Sequence, residues 1–251
     1  MKVYTQKYTP IHSMEVTPMG EIAGYPVRPG AFEINGATML PYGVNFTVHS
    51  HGGKNCTLLL FRRREPEPFA RLPFPEEYKI GDVYSMVVFD VDVEELEYAY
   101  SIDGEYCPEK GLLFDKNNIL LDPYARAVSG QHIWGEKEER FYRARVVKDI
   151  FDWGDMPQSK KEMSDLVIYE LHVRGFTQHE SSGVAARGTF AGLKEKIPYL
   201  KELGVNAVEL MPIFEFDETM NAREIDGRKL LDYWGYNTVS FFSPNKQRII
   251  C

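Results

Sequence analysis

Two apolar runs bracket a helical stripe in the second half of the chain, and this arrangement constrains the fold more than any other feature. Leu166 to Val173 is strand-like; Phe190, Leu193, Ile197, Leu200 and Leu203 recur every three or four residues; Val205 to Met211 is a second strand-like run, ended by Pro212. The spaced residues line one face of a helix, and Gly204 is placed to stop it. Pro198 lies inside the stripe, so either the helix proper starts beside it or the helix kinks there. Strand, helix and strand with short joints form a βαβ unit, which makes the two strands parallel. Parallel strands need cover on both faces. Two strands, or three if Asn237 to Phe242 is counted, and one helix cannot supply it. The second half is therefore expected to open a larger parallel structure that this chain does not close. On its own it should be unstable or poorly soluble.

The first half has a different rhythm. Residues 1–30 contain Pro and Gly and lack clear periodicity, and 1–19 read as an N-terminal extension. Val44, Phe46 and Val48 then alternate, Thr57 to Phe61 is a short apolar run, and Val83 to Phe89 is rich in β-branched and aromatic residues. Tyr98, Tyr100 and Ile102 alternate up to Asp103-Gly104, which reads as a two-residue hairpin turn. Short strands at this spacing predict an all-β sandwich over 20–125. Residues 126–164 read as an irregular connector, and 165–251 hold the βαβ half. Aromatic residues make up 13% of the chain, which a sandwich core explains. The run Arg62-Arg63-Arg64 reads as a solvated loop.

Charge and cysteine usage exclude several classes. With 37 acidic against 29 basic residues the net charge is −8. Nucleic-acid binders concentrate positive charge, so no nucleic-acid partner is expected; a neutral ligand such as a sugar suits the balance. Cys56, Cys107 and Cys251 are odd in number and lack zinc-type spacing, which suggests neither a disulfide framework nor a metal knuckle. A reducing cytoplasm is the simplest setting. Met1 to Gly20 carries scattered charges and prolines with no long apolar run, so neither a signal peptide nor a membrane partner is expected. No cofactor or metal is expected: Glu170 and His172 share a strand face but lack a third ligand, Gly52-Gly53-Lys54 lacks full phosphate-loop spacing, and no cation cage is evident.

Five segments carry a resemblance. Asp165-Leu-Val-Ile-Tyr-Glu-Leu-His-Val-Arg-Gly-Phe-Thr177 resembles the first barrel strand of the α-amylase superfamily, glycoside hydrolase family 13. Gly188-Thr-Phe-Ala-Gly-Leu-Lys and Ile197-Pro-Tyr-Leu-Lys-Glu-Leu-Gly-Val-Asn-Ala-Val-Glu-Leu-Met-Pro212 resemble its first helix and second strand. Tyr233-Trp-Gly-Tyr-Asn-Thr-Val-Ser-Phe-Phe-Ser-Pro244 is similar to the isoamylase and bacterial glycogen debranching branch, and Leu120-Leu-Asp-Pro-Tyr-Ala125 is typical of that branch. The sandwich resembles the family 48 carbohydrate-binding module, which implies an immunoglobulin-like β-sandwich. The fold this implies is multidomain β plus α/β: a sandwich followed by the start of a truncated (β/α)8 TIM barrel. It also places Asn237 to Phe242 in the long loop after the second strand rather than in a third barrel strand.

The activity the resemblance implies is hydrolysis of α-1,6 branch linkages in glycogen or a related branched α-glucan. That chemistry takes one carboxyl as acid and a second as nucleophile. In the family these stand on the fourth and fifth barrel strands, which no segment here matches, so no catalytic residue is assigned and the chain alone is expected to be inactive. Two other readings stay open: a non-catalytic α-glucan-binding protein, and a fragment of a branching-type glucan transferase. Tyr236 matches the family residue that stacks on the sugar where the bond is cut, a contact worth about 1 kcal/mol by analogy with other aromatic contacts; a packed loop aromatic is the plain alternative. Trp234 is divided between loop packing and site wall. Glu209 is expected as an internal barrel partner and Glu215 as a loop or rim charge. Trp134, Trp153 and Trp234 all fall outside the predicted sandwich strands, so the sandwich is expected to be a structural neighbour rather than a strong glycan binder.

Overall fold

The structure is a computed structural model and describes residues 16–130, 133–136, 142–148, 152, 154–155 and 161–245. The chain divides into two compact units, one of residues 1–130 and 139–149, the other of 131–138 and 150–251. The described residues are mostly strand, and the helices are short. None of them is long and apolar enough to cross a membrane.

The first unit is a sandwich of two antiparallel sheets. One sheet orders its strands as Gly20–Ile22, Tyr25–Pro29, Val83–Phe89, Gly43–His49 and Gly36–Leu40, with Lys79–Ile80 also on Val83–Phe89. The other orders them as Val128–Ser129, Arg143–Arg145, Leu96–Gly104, Gly53–Arg62 and Ala70–Pro73. The alternation read from the sequence fills the space between the sheets: Val44, Phe46 and Val48 meet Leu58, Leu60, Tyr98 and Tyr100 in one core. Phe46 and Tyr98 pack edge to face, with centroids 5.0 Å apart, the arrangement that aromatic quadrupoles favour. The run Thr57 to Phe61 is continuous rather than alternating because Leu59 and Phe61 are buried as well, in a second cluster with Ala99.

The reversal expected at Asp103-Gly104 is not there. Gly104 stays in its strand and pairs with Gly53. The chain turns later, through Pro108–Lys110 between Tyr106–Cys107 and Leu112–Leu113. Gly104 answers a packing need: a Cβ there would lie 2.7 Å from the Phe114 ring. The segment read as a connector contributes two strands to the second sheet, with Val128 opposite Ala144 and Ala144 opposite Tyr98. Arg62, Arg63 and Arg64 are exposed, as a solvated charge run should be.

Gly43 tests how closely the first sheet is built. A Cβ at this position would stand 2.3 Å from the Val88 carbonyl oxygen and 2.9 Å from the Phe89 Cα, both backbone atoms. Only a shift of the strand could relieve that contact. Gly43→Ala is expected to destabilise the sandwich by about 1–3 kcal/mol, the range for overpacking, read as a lower urea midpoint.

In the second unit Ile168–Leu171 pairs in parallel with Ala207–Leu210, residue by residue. The helical stripe between them is two helices, Phe190–Glu195 and Ile197–Glu202, broken at Lys196 with φ −89° and ψ −1°. Pro198 sits in the first turn of the second helix, where its missing N–H leaves no bond unmade. Thr189 caps the first helix by accepting from Gly192 N at 3.2 Å, and Gly204 ends the second with φ +83°. Ile168, Val208, Ile197 and Leu203 are all exposed, so two strands and these helices do not cover one another. Thr238–Pro244 pairs antiparallel with Phe214–Phe216 and not with Ala207–Leu210. The segment therefore belongs to the excursion after the second parallel strand. A hairpin, Arg223–Ile225 with Arg228–Leu230, lies within the same excursion.

Candidate functional site

The strand Ile168–Leu171 ends one residue before His172, which leaves the sheet and caps the short helix Val173–Thr177. Its Nδ1 accepts from Gly175 N at 2.9 Å. The expected sharing of a strand face by Glu170 and His172 fails for this reason: His172 is buried and Glu170 is exposed. The His172 ring lies 4.9 Å from Tyr233 and 5.5 Å from Trp234, and those two rings stand edge to face at 6.0 Å. The Arg174 guanidinium sits 5.0 Å from the Trp134 ring and 5.9 Å from that of Tyr233, within cation–π reach. Trp134 in turn packs edge-on against Phe216, which is fully buried.

Backbone bonds fix the loop that carries these rings. Asp232 Oδ1 accepts from Gly235 N at 3.0 Å, and Asp232 N donates to the Glu218 carbonyl at 2.9 Å. The buried Glu218 carboxylate accepts from Gly135 N at 2.7 Å. Asn237 Nδ2 donates to the Asp217 carbonyl at 2.6 Å. Asp217 Oδ1 accepts from Thr219 N and Oγ1 at 2.8 and 2.6 Å, so the carbonyl's own turn is held. Gly235, at φ +79°, lets the chain turn between Trp234 and Tyr236.

The two expected site residues stand in different surroundings. Trp234, 53% exposed, packs with His172 and Tyr233. Tyr236, 67% exposed, lines an open cavity of about 480 Å³ with Pro212, Phe214, Met220, Asn237, Thr238 and Phe241. Trp234 is not part of that lining. Glu209 and Glu215 exchange their expected places. Glu209 is exposed, while Glu215 is buried on Phe214–Phe216 opposite Ser240. Phe214, Met220 and Phe241 were not singled out by sequence, because the pairing that gathers them is antiparallel with register shifts on both sides of Glu215. Trp134 had no local signal at all. Trp153 lies outside the described residues.

Residues 35–125 match the family Carbohydrate-binding module 48 (Isoamylase N-terminal domain). The chain is 38% identical over 224 residues to Isoamylase 1, chloroplastic, of Arabidopsis thaliana, covering 83% of this chain and 28% of that protein. It is 32% identical over 241 residues to the glycogen debranching enzyme of Dickeya chrysanthemi, covering 90% of this chain and 35% of that one. Among solved structures, apo pullulanase from Paenibacillus barengoltzii superposes with a TM-score of 0.65 at 21% identity, over 87% of this chain and 32% of that one. Pullulanase complexed with maltotetraose from Anoxybacillus sp. LM18-11 gives 0.62 at 26%, over 85% and 29%. The chain thus spans about a third of the length of the curated relatives it matches.

Proposed function

On the premise that this chain is a relative of the isoamylases and the bacterial glycogen debranching enzymes, we propose that it carries the sandwich and the opening βαβ unit of an α-1,6-glucan debranching glycosidase. In this reading 165–251 is the start of a (β/α)8 barrel. Such barrels place their chemistry at the C-terminal ends of the strands, and the Trp234–Tyr236 loop follows the second strand. The observation that carries the reading is Tyr236, largely exposed on a cavity that holds aromatic and neutral polar side chains and no charged one. A neutral sugar ring offers C–H groups to an aromatic face and hydroxyls to amide and hydroxyl neighbours.

The retaining reaction needs two carboxyl groups about 5–5.5 Å apart. None of the residues lining the cavity is acidic. We therefore assign this chain a substrate-holding role and no catalytic residue. The partner is glycogen or a related branched α-glucan. The free thiols Cys56 and Cys107 favour the cytoplasm as its setting, although several plant relatives are chloroplastic by name.

Two measurements test this. The pure 251-residue chain should be retarded in glycogen-containing native gels, and Tyr236→Ala should weaken that retardation about fivefold, the equivalent of one aromatic contact. Incubation with glycogen or a branched dextrin should release no reducing ends. Unretarded migration of the unaltered chain defeats the glucan reading; turnover defeats the assignment of a holding role alone.

A further inference from the structure

Residues 131–138 belong to the second unit, although the chain on either side of them is sandwich: Val128–Ser129 pairs with Arg143–Arg145 in its second sheet. The described part of this segment carries Trp134 and Gly135. Trp134 packs edge-on against the buried Phe216, with centroids 5.8 Å apart, and the Arg174 guanidinium lies 5.0 Å from its ring. Gly135, at φ +85°, holds left-handed backbone that other residues rarely adopt. Its N–H donates to the buried Glu218 carboxylate at 2.7 Å, and its carbonyl accepts from Lys229 Nζ at 2.6 Å.

Two routes lead from these residues to Tyr236. Along the polar one, the Glu218 carbonyl accepts from Asp232 N at 2.9 Å, and Asp232 Oδ1 accepts from Gly235 N at 3.0 Å. Along the ring one, Arg174 lies 5.9 Å from the Tyr233 ring, which stands edge to face with Trp234 at 6.0 Å. Both routes join the stretch Asp232 to Gly235, immediately before Tyr236. Tyr236 itself is 67% exposed, so contacts of its own ring do little to aim it. The turn before it has to.

We propose that Trp134 and Gly135 are positioning residues for Tyr236: they brace the turn from Asp232 to Gly235 and so set how the Tyr236 ring is presented to glucan. This rests on the glucan reading of Tyr236 and adds to it a control that touches no sugar. It also gives the sandwich, whose strands flank the segment in the chain, a part in glucan binding that needs no sugar contact of its own.

The test uses the full chain and two readouts, one of them blind to sugar. Hydrogen exchange at the Gly235 amide reports opening of the turn. Trp134→Ala is expected to speed it about tenfold, for the loss of an edge-to-face pair and a cation–π contact together. Trp134→Phe keeps a ring and should stay within about threefold of the unaltered chain. In calorimetric titration with maltotetraose, Trp134→Ala should weaken binding about two- to fivefold and no further than Tyr236→Ala does, because the brace acts only through that ring. Trp134→Ala combined with Tyr236→Ala should then bind no more weakly than Tyr236→Ala alone; residues that act separately would add their losses. Lys229→Met removes an exposed side chain and should move both readouts the same way, which keeps the test intact if Trp134→Ala loses its near-ultraviolet circular dichroism. Unchanged Gly235 exchange in these variants, or additive losses in the combined one, overturns the brace and leaves the glucan reading of Tyr236 standing. If the unaltered chain does not bind maltotetraose, the glucan reading falls, and exchange at Gly235 alone decides whether Trp134 and Gly135 hold the turn.

Discussion

Exchange of Asp122 for Asn is expected to flatten the pH dependence of the sandwich's stability between about pH 4 and pH 6. Asp122 is fully buried. Its Oδ2 accepts from the Tyr98 hydroxyl at 2.7 Å and its Oδ1 from Tyr124 N at 2.8 Å. Burial pushes the carboxyl up to about 6, while the two hydrogen bonds pull it back. The folded state therefore holds a proton on Asp122 in a window where the unfolded chain, near 3.8, has already lost it. Linkage fixes the sign: where the native state binds more protons, stability falls as pH rises. The contribution is fully present below about pH 4, declines through the window and is gone above about pH 6, at up to about 1.4 kcal/mol per pH unit. Urea unfolding at pH 4.5 and pH 7, followed by the near-ultraviolet signal of Tyr84, Tyr98 and Tyr100, gives the check. The difference between the unaltered protein and Asp122→Asn should shrink or reverse by about 2 kcal/mol on going to pH 7. A constant difference would show that Asp122 does not titrate there. Asp122→Ala should cost about 2–4 kcal/mol at pH 4.5, because the Tyr98 hydroxyl and Tyr124 N both lose their buried acceptor, and less at pH 7 by the same shift.

The same residue shows what a sequence can and cannot disclose. Leu120-Leu-Asp-Pro-Tyr124 was conspicuous as a motif, but nothing local says that its Asp ends up under Tyr98, whose place is set by strand pairing 24 residues away. Features that depend on periodicity were legible. The alternation at Val44, Phe46 and Val48 points into the core, and the βαβ unit pairs in parallel as its spacing required. Features that depend on what a residue meets across space were not. Asp103-Gly104 carries the composition of a turn, yet Gly104 is needed because Phe114 lies over it. His172 continues an apolar run yet leaves the strand to cap a helix. At the site, Trp234 and Tyr236 stood out through one short motif. Phe214, Met220 and Phe241 did not, since the bulged pairing that assembles them leaves no periodic trace.

Arg143 was expected in a connector and is instead the residue whose loss should cost the sandwich most. Its guanidinium lies 3.6 Å from the Glu97 carboxylate, with both side chains almost wholly buried. It also donates to the Glu65 and Pro66 carbonyls, the latter at 2.8 Å, and rests 3.7 Å from the Phe61 ring centroid. One side chain thereby neutralises a buried acid, holds the loop after Arg64 and covers an aromatic ring. Removing it by Arg143→Ala leaves the buried Glu97 carboxyl without its partner, with Oε1 already lacking one, and should destabilise the unit by about 3–5 kcal/mol. Arg143→Met keeps most of the contact with Phe61 and still orphans Glu97, so it should fall nearly as far. The informative variant is Arg143→Met combined with Glu97→Leu. A buried ion pair replaced as a pair by apolar groups of similar size is often neutral, so the double variant should recover most of the loss, measured as a coupling above about 2 kcal/mol in a double-mutant cycle of urea unfolding. If the double variant is as unstable as Arg143→Met alone, the two carbonyl bonds rather than charge neutralisation account for the effect, and Arg143 is chiefly a clamp on the loop at Glu65 and Pro66.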